Sequence, residues 1–193
     1  MILGLTGSVA MGKSTTAALF RAEGIPVWDA DAVVHALYSE GGAAAPGIAA
    51  LVPEAVVEGS VDRSVLRAAF LKDPELSRAV EGVVHPLVAR DRAAFLAAHE
   101  GCVLCDVPLL FETGGEAWCD RVVVVTAPLH VQRERFLARP GMDAAAFEGI
   151  LARQMPDADK RARADFVIDT SHGIDAARRD VHHILKEVGC AKS

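Results

Sequence analysis

The stretch GLTGSVAMGKSTTAALF (4–20) limits the possible folds of this chain more than any other feature. It joins the end of an apolar run, a loop of small residues and a helical pattern. Within it, GSVAMGKS (7–14) matches the motif G-x-x-x-x-G-K-[ST], which works only between a strand and a helix. The motif therefore predicts a strand at 2–6, a tight loop and a helix after it, which is the beginning of an α/β fold.

The same motif predicts a phosphate-binding loop. In such loops the backbone N–H groups and the N-terminus of the following helix point at phosphate oxygens. Lys13 is expected to reach the β- and γ-phosphates, and the Ser14 hydroxyl to help hold Mg²⁺. The alternative is a strand-to-helix turn with an incidental lysine. With ATP as the expected nucleotide, the predicted contacts are Gly7, Ala10, Met11, Gly12, Lys13, Ser14 and Thr15.

Short β-branched runs recur along the chain and alternate with helical patterns. They are continuously apolar, as is typical of parallel strands that are covered on both faces. This alternation predicts the α/β class with right-handed crossovers. The expected strands are 2–6, 25–28, 102–107, 121–126 and 165–169. Residues 29–101 contain no predicted strand and are expected to form a helical lobe, and a second, arginine-rich helical excursion spans 128–164.

Composition narrows the functional classes. The chain has 193 residues, 51% of them hydrophobic, enough for one well-buried core. A net charge of −6 disfavours a nucleic-acid partner, and no apolar run approaches the ~20 residues of a membrane span. We therefore expect a cytoplasmic protein.

Cys102 and Cys105 have the C-x-x-C spacing of a metal or redox pair. In a strand, however, their side chains would face opposite sides of the sheet, so we favour buried thiols.

Two aspartates follow the second predicted strand, in VWDADAVVHAL. In open α/β sheets, ligands bind at the carboxyl ends of the strands. A carboxylate there can accept the proton of an acceptor hydroxyl, so we expect Asp29 or Asp31 to be a catalytic base. The alternative is that both only cap the next helix, since Asp is a favourable N-cap residue.

A basic cluster lies in the second excursion. Gln132, Arg135 and Arg139 follow i, i+3, i+7 spacing, which predicts one helical face. Further along are Arg153, Gln154, Lys160, Arg161 and Arg163. In an acidic chain this cluster favours a lid over a polyphosphate, because planar guanidinium groups suit phosphate oxygens. The alternative is a solvated face whose cations pair with nearby carboxylates.

These motifs together resemble the dephospho-coenzyme A kinase family over nearly the whole chain. The segments that carry the resemblance are GLTGSVAMGKST, DADAVVH, VDR (61–63), VVHPLV (83–88), DVPLLFE (106–112), QRERFLAR (132–139) and ADFVID (164–169). The resemblance implies ATP- and Mg²⁺-dependent phosphorylation of the 3′-hydroxyl of dephospho-CoA, the last step of coenzyme A synthesis. It also implies a nucleoside-monophosphate-kinase-like P-loop fold: one domain with a five-stranded parallel core (1–28, 102–127, 165–193), an acceptor-side lobe (about 29–101) and a lid (about 128–164).

The resemblance also implies roles for particular residues. It assigns the base to Asp31 and the lid arginine to Arg139, with Arg135 as a further nucleotide contact. His35, Arg63 and His85 fall at family-like positions on the acceptor side.

The chain departs from the family in its loop, where Ser8 and Ala10 replace two glycines, and at Thr170, where many relatives have Asn. Neither loop position is fixed in the general motif, so phosphate binding is expected to survive.

Three other functions are weighed against this one. A regulatory GTPase would need N-K-x-D and D-x-x-G motifs, which the chain lacks. A kinase for another small acceptor, such as a nucleoside monophosphate, stays open because the acceptor pocket cannot be identified from these motifs. A non-enzymatic nucleotide-binding module is disfavoured by Asp31 and the lid arginines. The sequence carries no signal for oligomeric state.

Overall fold

The computed structural model describes residues 1–191 and divides the chain into two compact units. One unit combines residues 1–28 with the chain from His99 onward, and the other is Asp29–Ala98. In chain order, the strands are β1 (Ile2–Thr6), β2 (Val27–Asp29), β3 (Val56–Val57), β4 (Ser60–Val61), β5 (Val103–Asp106), β6 (Arg121–Thr126) and β7 (Phe166–Asp169). The helices are α1 (Lys13–Ala22), α2 (Ala30–Tyr38), α3 (Ala45–Leu51), α4 (Arg63–Lys72), α5 (Pro74–Ala98), α6 (Leu129–Leu137), α7 (Ala144–Leu151), α8 (Asp157–Ala162) and α9 (Ile174–Glu187).

The main sheet has five strands in the order β2-β5-β1-β6-β7 and is parallel, which confirms the predicted architecture. The predicted bounds of β1 and β6 are also correct. β2 begins two residues later than predicted, because Pro26 has no N–H to donate to a neighbouring strand. Its carbonyl still accepts a hydrogen bond from the Leu104 N–H at 2.9 Å.

Both faces of this sheet are covered, as the continuous apolar runs predict. Val123 and Val125 of β6 face the cluster that includes side chains of α1 and α9. Val122 and Val124 face the opposite side, where they pack with Leu110 and Phe111. The period of two along β6 thus places alternate valines in two different cores.

The carboxyl ends of the strands bring polar residues to one edge of the sheet. In the strand register, Leu5 of β1 lies beside Asp106 of β5, and Thr126 of β6 lies beside Asp169 of β7. The phosphate-loop motif leaves β1 at this edge. Side chains that follow β5, β6 and β7 are therefore placed around it.

The Asp29–Ala98 unit has its own apolar core. Helices α2 to α5 contribute to a cluster that contains Ile48, Leu66, Val80 and Val84. This core is separate from the clusters on the sheet. The long segment that contributes no strand to the main sheet therefore forms a folded unit with its own core, and is not merely a connection between two strands. The assignment of acceptor lobe and lid to named ranges stays a prediction.

The expectation of no strand in 29–101 is wrong, since β3 and β4 form a short antiparallel hairpin. Glu58 (φ 50°) and Gly59 (φ 76°) connect the strands. Positive φ at both central positions is the geometry of the type I′ hairpin turn. Glu-Gly is a weaker sequence signal for this turn than Asn-Gly, and each strand has only two residues, so the pattern could not reveal it.

None of the helices in residues 1–191 has the length and apolar character needed to cross a bilayer.

Candidate functional site

The loop between β1 and α1 is shaped by close packing at its two motif glycines. A Cβ on Gly7 would lie 2.6 Å from the Val125 carbonyl oxygen, so only glycine fits against β6 at this position. Gly12 has φ 90° and forms the N-cap of α1 in the left-handed region. These two positions explain why the chain retains glycine there although Ser8 and Ala10 replace it elsewhere in the loop.

The loop presents a group of unused backbone donors. The N–H groups of residues 10 and 12–15 have no acceptor within residues 1–191. The N–H groups of residues 13–15 belong to the first turn of α1, where no preceding helical turn supplies carbonyl acceptors. Backbone N–H donors at the positive end of a helix dipole are suited to contact an anion.

Lys13 forms an ion pair with Asp106 at the base of this loop. Its side chain is largely enclosed, and Asp106, the last residue of β5, is only 3% exposed. Asp106 is not among the site residues predicted from the sequence, although DVPLLFE contributed to the resemblance. The available signal was a carboxylate ending a strand of the sheet that carries the loop, which is where a Walker-B aspartate stands in P-loop proteins.

Three side chains from outside the loop anchor its backbone. Gln132 Nε2 donates to the Val9 carbonyl at 2.8 Å, and Gln154 Oε1 accepts from the Val9 N–H at 3.0 Å. The Thr170 hydroxyl lies 2.8 Å from the Met11 carbonyl oxygen. The loop conformation is therefore fixed by residues more than a hundred positions away in sequence.

Ala10 has φ 60°, a value that side-chain-bearing residues rarely adopt. Its methyl group is buried with Phe136 and Phe147, whose ring centroids are 5.3 Å apart. The alanine thus keeps the positive φ that glycine would provide while filling space against α6 and α7.

Arg135 lies beside a cavity of about 270 Å³ next to the loop. Its guanidinium donates to the Thr170 hydroxyl at 2.8 Å and to the Thr170 carbonyl at 2.9 Å. The remaining walls are formed by α1, the segment after β7 and the start of α9, through Gly12, Thr15, Thr16, Gly173, Ile174 and Ala177. The cavity adjoins the unused donors of the loop, since Gly12 and Thr15 belong to its lining.

Arg139 lies beyond the helix that was predicted to carry it. Helix α6 ends at Leu137, and the exposed Arg139 guanidinium stands 5.9 Å from the Phe136 ring centroid. The prediction of one helical face for Gln132, Arg135 and Arg139 is therefore wrong for Arg139.

Most of the further cations predicted for the lid are paired with carboxylates instead. Lys160 is fully buried with its Nζ 2.9 Å from Glu112 Oε1, and Arg161 pairs with Asp157 at 2.9 Å. Arg163 pairs with Glu116 and stacks 4.6 Å over Phe111. Arg161 thus pairs with a carboxylate one helical turn before it, whereas Lys160 and Arg163 pair with carboxylates that are distant in sequence. Lys160 is buried and does not belong to a solvated face.

The ion pair between the fully buried Lys160 and the partly buried Glu112 gives a stability prediction. Burial raises the pKa of the Glu112 carboxyl, but the Lys160 ammonium and the Met155 N–H (2.9 Å) outweigh it and hold that pKa below its usual value. Glu112→Gln would leave the ammonium buried without a counter-charge, which costs ~3–5 kcal/mol. We expect a clearly lower melting temperature at pH 7.

The pH dependence provides the control for that substitution. A carboxyl with a lowered pKa contributes stability above its unfolded pKa, about 4.3, and loses it as pH falls through the folded value. The difference in melting temperature between wild type and Glu112→Gln should therefore shrink in acid. A constant difference between pH 7 and pH 3 would contradict the ionic origin of the effect.

In the Asp29–Ala98 unit, the two predicted aspartates differ in their local roles. Asp29 Oδ1 accepts the Ala32 N–H at 3.0 Å and is the N-cap of α2. Asp31 lies in the first turn and is exposed. The cap is thus provided by Asp29, which leaves the Asp31 carboxylate without a capping task.

The residues expected on the acceptor side are on the surface of the same unit. His35 on α2 and His85 on α5 are exposed. The Arg63 guanidinium lies 5.2 Å over the Tyr38 ring, a cation–π geometry. Burial raises the pKa of Tyr38, Arg63 opposes the shift, and Glu81 adds to it.

Comparison with known proteins places the chain in a family. The sequence profile described as CoaE, dephospho-CoA kinase, matches residues 1–176. Dephospho-CoA kinase of Jannaschia sp. (strain CCS1) is 54% identical, with 96% of each chain covered. That of Mesorhizobium japonicum is 52% identical and covers 97% of this chain and 96% of the relative.

Solved structures of other proteins have the same fold as this chain. The Thermus thermophilus protein TT1252 superposes with a TM-score of 0.83 at 36% identity and 97% coverage of both chains. Two further kinases share the fold. Dephospho-CoA kinase from Campylobacter jejuni has a TM-score of 0.64 at 19% identity and covers 97% of this chain and 96% of its own. Shikimate kinase from Bacteroides thetaiotaomicron has a TM-score of 0.52 at 14% identity, with 98% of each chain covered. The predicted P-loop kinase fold is confirmed, and the chain belongs to the dephospho-CoA kinase family.

Proposed function

We propose that this protein transfers the γ-phosphoryl group of ATP to the 3′-hydroxyl of dephospho-CoA, giving coenzyme A and ADP. The observation that carries the proposal is the group of unused N–H donors at residues 10 and 12–15 around the Lys13 side chain. Membership in the dephospho-CoA kinase family supports the acceptor. A cytoplasmic location and the absence of a nucleic-acid partner stay predictions.

In this proposal the loop binds the triphosphate. The free N–H groups contact phosphate oxygens, and Lys13 leaves Asp106 for the β- and γ-phosphates. The cavity beside Arg135 and Thr170 accepts the adenine and ribose. Phosphoryl transfer needs such positioning and charge stabilisation more than covalent catalysis by the protein.

The residues present also suit Mg²⁺. The Ser14 hydroxyl and the Asp106 carboxylate are hard oxygen donors, as Mg²⁺ prefers, and such sites commonly combine one or two carboxylates with substrate phosphates. Residues 1–191 contain no cluster of three or more His, Cys, Asp or Glu that could hold a metal unaided. When bound with the nucleotide, Mg²⁺ neutralises charge on the β- and γ-phosphates.

For the acceptor, we assign Asp31 as the base. Its carboxylate takes the proton of the ribose 3′-hydroxyl while that oxygen bonds to the γ-phosphorus, and the bond from the γ-phosphorus to the bridging oxygen breaks to release ADP. Arg139 stabilises the charge on the transferred group. His35, Arg63 and His85 are proposed contacts of dephospho-CoA.

Two substitutions at Arg139 test whether the planar guanidinium group is needed or only its positive charge. Arg139→Ala should lower kcat by ~10²-fold, the usual loss for one transition-state donor. Arg139→Lys should stay within about threefold of the alanine variant, because an ammonium cannot replace a planar fork on phosphoryl oxygens. Steady-state kinetics measure both, with Arg133→Ala on the exposed side of α6 as the control.

Restoration of wild-type kcat by Arg139→Lys would mean that only positive charge is needed at this position.

The proposed function is tested by ADP release with a panel of acceptors. Dephospho-CoA, AMP, CMP and pantetheine phosphate are compared at equal concentration with saturating Mg-ATP. We expect turnover to depend on dephospho-CoA. Equal or faster turnover with AMP or CMP would identify a kinase for a different small acceptor.

A further inference from the structure

Val9, in the middle of the phosphate loop, has both of its backbone groups held by glutamines. Gln132 of α6 donates to its carbonyl at 2.8 Å, and Gln154, after α7, accepts from its N–H at 3.0 Å. Gln132 is only 2% exposed. A buried amide that is aimed at a loop carbonyl fixes the orientation of that peptide group.

The two glutamines act on different peptide groups. In a trans peptide the C=O and the following N–H point to opposite sides, and residues 1–191 contain no cis peptide. Gln132 therefore turns the Ala10 N–H away from itself, and that N–H has no acceptor in the described chain. Gln154 instead holds the peptide between Ser8 and Val9, whose carbonyl already accepts the Met11 N–H at 3.3 Å.

We propose that Gln132 is a positioning residue that aims the Ala10 N–H at the nucleotide phosphates. The proposal rests on the proposed function in one respect, that the loop binds a triphosphate. Without the Gln132 anchor the Val9–Ala10 peptide can rotate, and one phosphate donor is lost or misdirected. The positive φ of Ala10 is less favourable for alanine than for glycine, so an anchor on the adjoining peptide helps to hold this conformation.

The test separates phosphate recognition from general stability. Binding of ATP and of adenosine is measured for wild type, Gln132→Met and Gln154→Met. Each substitution removes one hydrogen bond to Val9 and keeps a side chain of similar length. We expect Gln132→Met to weaken ATP binding by ~10–100-fold, as for the loss of one hydrogen bond to a charged group, and to leave adenosine affinity unchanged. Gln154→Met should change the ratio of the two affinities less than threefold.

Three results would overturn the proposal: an unchanged ratio in Gln132→Met, an equal loss in Gln154→Met, or a parallel loss of ATP and adenosine binding with a lower melting temperature. If Gln132→Met does not fold, Gln132→Asn is used in its place. Asparagine keeps a buried amide but is one methylene too short to reach the Val9 carbonyl, so the ratio of ATP affinity to adenosine affinity should again fall. Acceptor is not needed in any of these titrations. If the wild-type protein binds ATP but does not phosphorylate dephospho-CoA, the acceptor assignment is overturned. The role of Gln132 is still decided by the ratio of ATP affinity to adenosine affinity.

Discussion

Asp31→Asn should lower kcat by ~10²–10³-fold while the melting temperature stays nearly unchanged. General-base contributions span ~10²–10⁴-fold, and the loose transition state of phosphoryl transfer, with little early proton transfer, favours the lower part of that range. Asp31 is exposed in the first turn of α2 and is not the N-cap. The substitution therefore removes a charge and a proton acceptor and little else. ATP affinity should hardly change, because the loop supplies most of those contacts.

Asp29 supplies the matched control two residues earlier. Asp29→Asn keeps a favourable N-cap and should affect kcat less than Asp31→Asn, whereas Asp29→Ala should cost about 1 kcal/mol of stability. Measuring kcat, ATP affinity and melting temperature for the three variants separates base from cap. An Asp31→Asn enzyme within about threefold of wild type, well below general-base losses, would refute the assignment of the base. A larger loss in Asp29→Asn would transfer the role to Asp29.

Lys13→Ala should weaken ATP binding and lower kcat together, by ~10²-fold or more in kcat. The ammonium is a fixed positive charge at the phosphates, and loss of one such group commonly has this effect. In the free protein, the same side chain pairs with the buried Asp106. We therefore also expect a lower melting temperature for Lys13→Ala without nucleotide.

A double variant separates these two effects. Adding Asp106→Asn to Lys13→Ala removes the carboxylate that lost its partner, so the melting temperature should recover in part while activity stays low. Near wild-type turnover of Lys13→Ala at saturating Mg-ATP would mean that the loop does not bind the reacting phosphates. Full recovery of activity in the double variant would mean that Lys13 serves only to neutralise Asp106.

Much of this architecture is readable from local patterns. The apolar runs locate the strands of the main sheet because each strand needs a continuous apolar segment to be buried on both faces. The loop motif locates the unused N–H donors because its spacing requires a strand before it and a helix after it. Asp29 as an N-cap also follows from local chemistry, and the structure shows which of the two aspartates takes that position.

The features that the sequence did not reveal depend on long-range contacts. The pairing of Lys13 with Asp106 joins residues 93 positions apart, and the anchoring of Val9 by Gln132 joins residues 123 apart. The local pattern predicts Lys160 as a lid cation because no short window of sequence connects it with Glu112. Strand order and loop packing bring these groups together, and neither is encoded in a short window of sequence.

The proposed reaction is tested by following the phosphoryl group itself. The protein is incubated with Mg²⁺, ATP labelled in the γ-phosphoryl group and dephospho-CoA, and the position of the label is determined by mass spectrometry and phosphorus NMR. We expect the label to appear as a monoester on the ribose 3′-oxygen, one for each ADP formed, and Asp31→Asn to slow its appearance. Label found only in inorganic phosphate, or on another position of the acceptor, would rule out the proposed transfer.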